Sequence, residues 1–321
     1  MEYSNVLALQ NWGNLCYLNS ALQCLLSIRK FRDLVRKSTQ SVETVSSLRD
    51  LCDKYEDPSI PLANPTMVKQ IFGKYDSFFR NNMQQDTHEC LIRIIDIIHE
   101  SIHESNVKSA RTVSSTDDSK VAWDRYIKLF GGSFITEIFA GQIKSTLVCQ
   151  MCKKERNSYE TINNISLPLS EPQSNNVVDI VDCFRIFFAH EQLEDMLTCD
   201  YCKRKTSTVK YMKLWIYPKV LVLHLKRYSG SAINNAMVET SENLVFRGGE
   251  AAKEVRYKLK CIVNHFGANP NSGHYTCISS FENEWVNIDD SNIYRTAARS
   301  KNLFTSPSSY VLIYEQVCAP N

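Results

Sequence analysis

Apolar residues in the first part of the chain recur at helical spacing. Leu18, Leu22, Leu25, Leu26 and Ile28 fall three or four positions apart or adjacent across residues 16–31, which predicts a helix with one buried stripe. Leu91, Ile94, Ile95, Ile98 and Ile102 make a second stripe over residues 85–102, read most simply as core. Residues 11–14 read as a loop entering the first helix, and the polar stretch 104–120 as a mobile connection with little to bury. Beyond it the pattern changes. Segments 220–225, 255–263, 274–279 and 310–314 are short and rich in branched or aromatic residues, as strands are, while 170–176 and 229–243 are turn-rich breaks. A helical front and a strand-rich back predict an α+β chain with an antiparallel sheet and no whole-chain repeat.

Composition narrows the partners little. Thirty-seven basic and 35 acidic residues leave +2 on 321 residues with 43% apolar content, an ordinary globular balance. No global field gathers nucleic acid or an anionic membrane, so neither partner is expected. The N-terminus lacks a charged start followed by an apolar run, and nothing reaches the roughly 18 apolar residues that crossing a bilayer requires. The 12 cysteines are therefore expected to face a reducing, intracellular compartment, cytoplasm or nucleus, where thiols serve metal binding or catalysis.

Four of those cysteines form two pairs of identical spacing, Cys149-Gln150-Met151-Cys152 and Cys199-Asp200-Tyr201-Cys202. The gap lets a tight turn aim both sulfurs at one point, and two such turns complete a tetrahedral thiolate shell for zinc. The intervening stretch, 153–198, is too long for a compact zinc finger and places the turns at the tips of two hairpins. Four thiolates leave no open coordination position, so the expected Zn2+ is structural, not catalytic. Unrelated reduced cysteines are the competing reading. Lys203, Arg204 and Lys205 could touch phosphate, but a short basic run is more often a solvated surface.

A different cysteine carries candidate chemistry. Cys16 stands where the first helix begins, so free backbone N–H groups and the positive end of the helix dipole favour thiolate there. Asn11, on the entering loop, offers an amide to a developing oxyanion. Far downstream, Ser272-Gly273-His274-Tyr275 supplies a candidate base, its glycine permitting close approach of an extended backbone, and Asp289-Asp290 supplies two carboxylates able to orient an imidazole. Taken alone, Cys16 reads better as a buried structural thiol than as a nucleophile, and Asp289-Asp290 reads also as a turn cap.

Several motifs together resemble the ubiquitin-specific protease family of deubiquitinating cysteine proteases. Asn11-Trp12-Gly13-Asn14-Leu15-Cys16-Tyr17-Leu18-Asn19-Ser20, followed by Leu22-Gln23-Cys24-Leu25, is similar to its cysteine box. Gln84-Gln85-Asp86-Thr87-His88-Glu89 resembles its glutamine-aspartate motif, and Leu223-His224-Leu225-Lys226-Arg227-Tyr228 its leucine-lysine-arginine-aromatic strand. Residues 257–265, Gly273-His274-Tyr275, Trp285, Asp289-Asp290 and 310–314 resemble its histidine box, in the expected order across nearly the whole chain. The resemblance implies a papain-like body: a helical thumb over about 1–125, zinc-stapled β fingers mainly over 126–215 and an antiparallel β palm mainly over 216–321. It implies Cys16 as nucleophile, His274 as base and then acid, Asp289 as third member, Asn11 as oxyanion donor and Asp290 as an alternate polarising acid. Asp86 matches a position that contacts the arginine-bearing ubiquitin tail, while Tyr228, His265, Gly273 and Tyr275 match positions lining the channel for its terminal glycines. Read without the resemblance, Asp86 is a helix cap and the other four are packing or turn residues.

Two positions depart from the family pattern: Leu15 stands where threonine is usual and Cys90 where phenylalanine is usual. The chain reads as a nearly bare catalytic domain acting on ubiquitin or ubiquitinated proteins. Loops 229–243 and 265–273 resemble the family's blocking loops and are expected to rearrange when ubiquitin binds. Two other classes compete: a non-catalytic ubiquitin-binding scaffold of the same fold, and a zinc-ribbon nucleic-acid binder, which leaves both distant boxes unexplained.

Overall fold

The structure is a computed structural model that describes residues 6–103, 117–169, 177–230, 232–250, 253–281, 284–296 and 303–317. Five helices lead: α1 (Cys16–Ser27), α2 (Arg29–Lys37), α3 (Glu43–Glu56), α4 (Thr66–Tyr75) and α5 (Thr87–Ile102). The first predicted helix is thus two. Ser27 Oγ donates to the Cys24 carbonyl at 2.7 Å, competing with the next helical donor, and Ile28 turns extended while burying its side chain completely. The second predicted helix starts at Thr87 because Asp86 caps it. Helices α6 (Ser119–Phe130) and α7 (Phe134–Phe139) follow, so Ser119 and Lys120 are helical, while 104–116 of the expected connection lie outside the described residues, as do the expected breaks at 170–176. Among the described residues no helix is long and apolar enough to cross a membrane.

The strand-rich part holds two principal sheets. Gly141–Cys149, Glu155–Ile162, Thr208–Ile216 and Glu191–Gln192 form a four-stranded sheet. An eight-stranded sheet runs Asn292–Thr296, Glu284–Asp289, Ser272–Phe281, Lys253–Asn269, Ser309–Val317, Val220–Lys226, Ile165–Pro168, with Asn243–Gly248 also paired to Lys253–Asn269. It is antiparallel except where Ile165–Pro168 lies parallel to Val220–Lys226. The predicted strands all fall within it.

This sheet is buried on both faces. Val220, Val222, Val311 and Ile313 join the core shared with α1, α3, α5 and α7, while Leu221, Leu223, Leu225, Leu312 and Tyr314 join a second core with α8 (Ile180–Phe187). That is the period-two alternation of a strand. A register shift between Leu259 and Cys261 inverts the phase: Tyr257 and Leu259 face the second core, but Cys261 and Val263 face the first.

Arg227 ties the far end of this sheet together. Its guanidinium donates to the carbonyls of Ser309, Asn234 (2.9 Å), Ala236 (2.9 Å) and Ser306 (3.2 Å), and burial draws its pKa down to about 10, leaving it charged at neutral pH. Replacing it strands those acceptors, each costing about 1–3 kcal/mol when buried and unpaired. Arg227→Met is therefore expected to lower stability by about 3–5 kcal/mol in urea unfolding; an unchanged midpoint would contradict this account of the site's rear wall.

Candidate active site and metal centre

Helix α1 is buried along its whole length, and its N-cap position, Leu15, offers no side-chain acceptor to the first-turn N–H groups. These groups remain available to an anion. Asn11 shapes the loop ahead of it: its Oδ1 accepts from the backbone N–H groups of Gly13 and Leu15, each at 3.0 Å, while Gly13 and Asn14 take positive φ of 123° and 54°. Cys16, the first helical residue, is almost fully buried.

Strand Ser272–Phe281 packs against α1 and carries His274 toward the same place, for the backbone N–H of the next residue, Tyr275, lies close enough to the Cys16 sulfur to draw its pKa down. His274 Nε2 lies 2.6 Å from Asp289 Oδ1 on the adjacent strand, which leaves Nδ1 as the free ring nitrogen. Asp290 is placed differently. It sits in the following turn at φ 52°, and its carboxylate accepts from Asn11 Nδ2 at 2.8 Å and Asn19 Nδ2 at 2.7 Å. One acid therefore meets the imidazole and the other fixes the cysteine loop to the sheet.

Burial raises the Cys16 thiol above its ordinary pKa; the Tyr275 N–H opposes this, the Asp290 charge reinforces it, and the N–H groups of Tyr17 and Cys16 lower it again. The helix terminus acts as expected from the sequence, but desolvation outweighs it.

The remaining candidates line an adjoining wall. Asp86 Oδ1 accepts from the N–H groups of His88 (2.7 Å) and Glu89 (3.3 Å), capping α5, while Oδ2 accepts from Tyr310 Oη at 2.6 Å. Tyr228 bonds the ring of His265, which stacks on Tyr275 with centroids 4.2 Å apart. Gly273 has φ 129° and faces Gly267 so closely that a Cβ on it would lie 2.3 Å from the Phe266 carbonyl oxygen. Its N–H and carbonyl are both held by the Gln84 amide, at 2.8 and 2.9 Å. Segment 265–273 is thus the closing part of a β-hairpin, with His265 opposite Tyr275.

The two cysteine pairs lie on hairpin turns away from this wall. Cys149 ends a strand of the four-stranded sheet, and Cys199 opens the turn of a small hairpin between Leu197–Thr198 and Lys205–Thr206. The turns are built alike: Lys153 and Lys203 take φ of 59° and 57° and donate N–H to Cys149 and Cys199 carbonyls at 2.9 Å. All four sulfurs lie within 4.8 Å of one another, with Cys149–Cys202 at 3.9 Å and Cys152–Cys199 at 3.7 Å. A tetrahedron with Zn–S bonds of about 2.3 Å has edges of about 3.8 Å, so this donor set fits zinc. The backbone N–H groups of Cys152 and Cys202 hold the thiols of Cys149 and Cys199 below their ordinary pKa, whereas Cys152, despite the Lys154 N–H, is pushed up to about 11 by burial and the neighbouring sulfurs.

A profile described as ubiquitin carboxyl-terminal hydrolase matches residues 7–314. The chain belongs to this family. Human ubiquitin carboxyl-terminal hydrolase 21 is 30% identical over 359 residues, covering 99% of this chain and 62% of that protein. Human ubiquitin carboxyl-terminal hydrolase 2 is 28% identical over 341 residues, covering 98% and 55%. The chain therefore spans little more than half the length of the curated relatives it matches. Among solved structures, a SAGA DUB module bound to monoubiquitin superposes with a TM-score of 0.79 at 20% identity, covering 99% of this chain and 70% of that one. A second, bound to ubiquitin aldehyde, gives 0.77 at 20% identity with the same coverage. The fold of this family member is accordingly α+β and papain-like, with the four-cysteine cluster a structural zinc site.

Three contributors to the candidate site went unassigned from sequence: Asn19, Gln84 and Tyr310. Asn19 carried a signal, being a polar residue three positions after Cys16 and four before Gln23 on one side of the helix; its Nδ2 also reaches the Leu9 and Gln10 carbonyls. The departures Leu15 and Cys90 are both buried, in the same core as Cys16.

About one zinc per chain is expected by elemental analysis, with Cys149→Ser or Cys199→Ser losing it and loosening both hairpins in hydrogen exchange; metal-free protein of undiminished protection would contradict the site. For Cys16, a raised pKa means the thiolate fraction climbs about tenfold per pH unit below that pKa. Alkylation of Cys16 in the free protein should therefore keep accelerating from pH 6 to 9; a plateau reached below pH 7 would show a thiolate already formed.

Proposed function

We propose that this chain is a thiol-dependent ubiquitin C-terminal hydrolase, cleaving isopeptide or peptide bonds after the terminal glycine of ubiquitin through a thioester. The observation that carries the reading is the convergence of the buried helix-terminal Cys16 with the strand bearing His274, itself hydrogen-bonded to Asp289 at 2.6 Å. Membership of the family and the likeness to ubiquitin-bound structures support it.

On this reading Cys16 passes its proton to His274 Nδ1, the nitrogen Asp289 leaves free, and the thiolate attacks the glycine carbonyl. The first-turn N–H groups of α1 and an Asn11 Nδ2 hydrogen receive the oxyanion; Asn11 Nδ2 has two hydrogens, of which Asp290 engages one. His274 then protonates the leaving amine, and water activated by the same imidazole releases ubiquitin. Asp289 orients the ring, while Asp290 holds the Asn11 amide in position and serves as the alternate acid. Asp86 receives the basic ubiquitin tail, and Tyr228, His265, Gly273 and Tyr275 line the path of its terminal glycines. Zinc bound by the four cysteines braces the hairpins and takes no part in the reaction.

The same reading assigns about 1–125 to a thumb, 126–215 mainly to fingers and 216–321 mainly to a palm, with ubiquitin or ubiquitinated proteins as partners. An intracellular setting, cytoplasm or nucleus, accords with cysteines that form no disulfide among the described residues.

A ubiquitin C-terminal electrophilic probe tests this directly. Labelling is expected at Cys16, with Cys16→Ala losing all labelling and turnover while still binding ubiquitin; wild-type turnover by that variant would reject the assignment.

A further inference from the structure

Beside the cysteine loop lies a cavity of about 530 Å³ that the mechanism above does not use. Asn14 and Leu15, directly ahead of Cys16, form one rim, with Trp12 standing 74% exposed above it; Lys69, Gln70 and Arg80 form the other. Asn14 Nδ2 bridges the rims by donating to the Asn82 carbonyl at 2.9 Å. None of Asp86, Tyr228, His265, Gly273 or Tyr275 borders this cavity. If the acyl part of the substrate occupies the wall those residues form, the leaving part departs on the side where the cavity opens.

The lining is cationic and holds no carboxylate. Lys69 is nearly buried and gives two hydrogen bonds, to the Asn81 carbonyl (2.7 Å) and Asn82 Oδ1 (2.9 Å), with no carboxylate in salt-bridge range among the described residues. Its ammonium has three donors, so one remains. Arg80 gives Nε–H to the Gly73 carbonyl at 2.6 Å and likewise has no ion-pair partner among the described residues. Lys74 is neutralised by Glu43. Two positive charges with no carboxylate in direct contact, of which Arg80 feels Asp76 only at longer range, together with the Gln70 amide and an exposed indole make a site for a carboxylate-bearing segment.

The geometry points to a leaving-side subsite that selects ubiquitinated proteins with acidic residues next to the modified lysine. It rests on the proposed hydrolase activity but adds a specificity that activity does not require. The Gln70 side chain is exposed and makes no hydrogen bond among the described residues, so Gln70→Glu installs a repelling carboxylate with little cost to folding.

The test compares three substrates: ubiquitin carrying an aminocoumarin leaving group, and ubiquitin joined by isopeptide bonds to lysine peptides flanked by Asp and Glu or by Lys and Arg. Wild-type protein should cleave the acidic conjugate about fivefold or more faster than the basic one in kcat/KM, the scale of about 1 kcal/mol for a partly exposed charge contact. Gln70→Glu and Arg80→Gln should erase that ratio while releasing aminocoumarin at the wild-type rate. Equal wild-type cleavage of both peptide conjugates, or a ratio unmoved by either variant, overturns the subsite and leaves the hydrolase reading standing. Failure of the wild type to release aminocoumarin overturns both, since the cavity would then face no leaving group.

Discussion

The packing of α1 against strand Ser272–Phe281 is the constraint on which the rest depends. That contact carries the helix of Cys16 and the strand of His274 to one place across most of the length of the chain. Every residue of α1 is buried, so the helix cannot slide without opening cavities in a core packed close to solid density. Polar side chains on the same helix set its register: Gln23 Nε2 donates to the Leu7 carbonyl at 2.6 Å, and Asn19 joins the loop carbonyls to the Asp290 carboxylate. The sheet answers with its own device. The irregularity after Leu259 turns Cys261 and Val263 toward the helices and so shapes the floor on which α1 rests.

Within that frame, electrostatics divides the acidic pair. Neighbouring carboxylates on a turn point to different partners, because Asp289 closes a strand pairing with Asn292 while Asp290 enters a left-handed conformation. The first reaches the imidazole. The second binds two asparagine amides and adds a negative field at the sulfur. Together with burial this holds Cys16 as a thiol in the free protein, which on the proposed reading makes deprotonation a step that His274 performs with substrate in place.

Much of the site was legible in the sequence. The apolar stripe of α5, the strands of the large sheet and the paired cysteine turns rest on local periodicity and spacing, and each is present in the fold. The division of the first helix at Ile28 was not legible, since apolar spacing continues through residues 16–31 and only the Ser27 back-bond and the burial of Ile28 interrupt it. Nor was the clasp of Gln84 on Gly273, two residues close only in the folded chain. Asp86 shows how both readings of one residue coexist: one oxygen caps α5, and the other accepts from Tyr310 beside the channel wall. The opposition of burial to the helix terminus at Cys16 also needed coordinates, because desolvation depends on what the rest of the chain places over the sulfur.

The cysteine turns and the candidate catalytic cleft occupy different sheets, so on the proposed reading metal loss and chemical inactivation are separable. On the proposed reading, the sulfur of Cys16 and the ring of His274 face one another across the helix–strand contact. The bifunctional alkylator 1,3-dibromoacetone spans only a few ångströms between two nucleophiles. Treated protein, digested and mapped by mass spectrometry, should contain Cys16 and His274 joined through a single acetone bridge. Cys16 alkylated at one end only, with His274 unmodified or the bridge ending on another residue, would contradict the account.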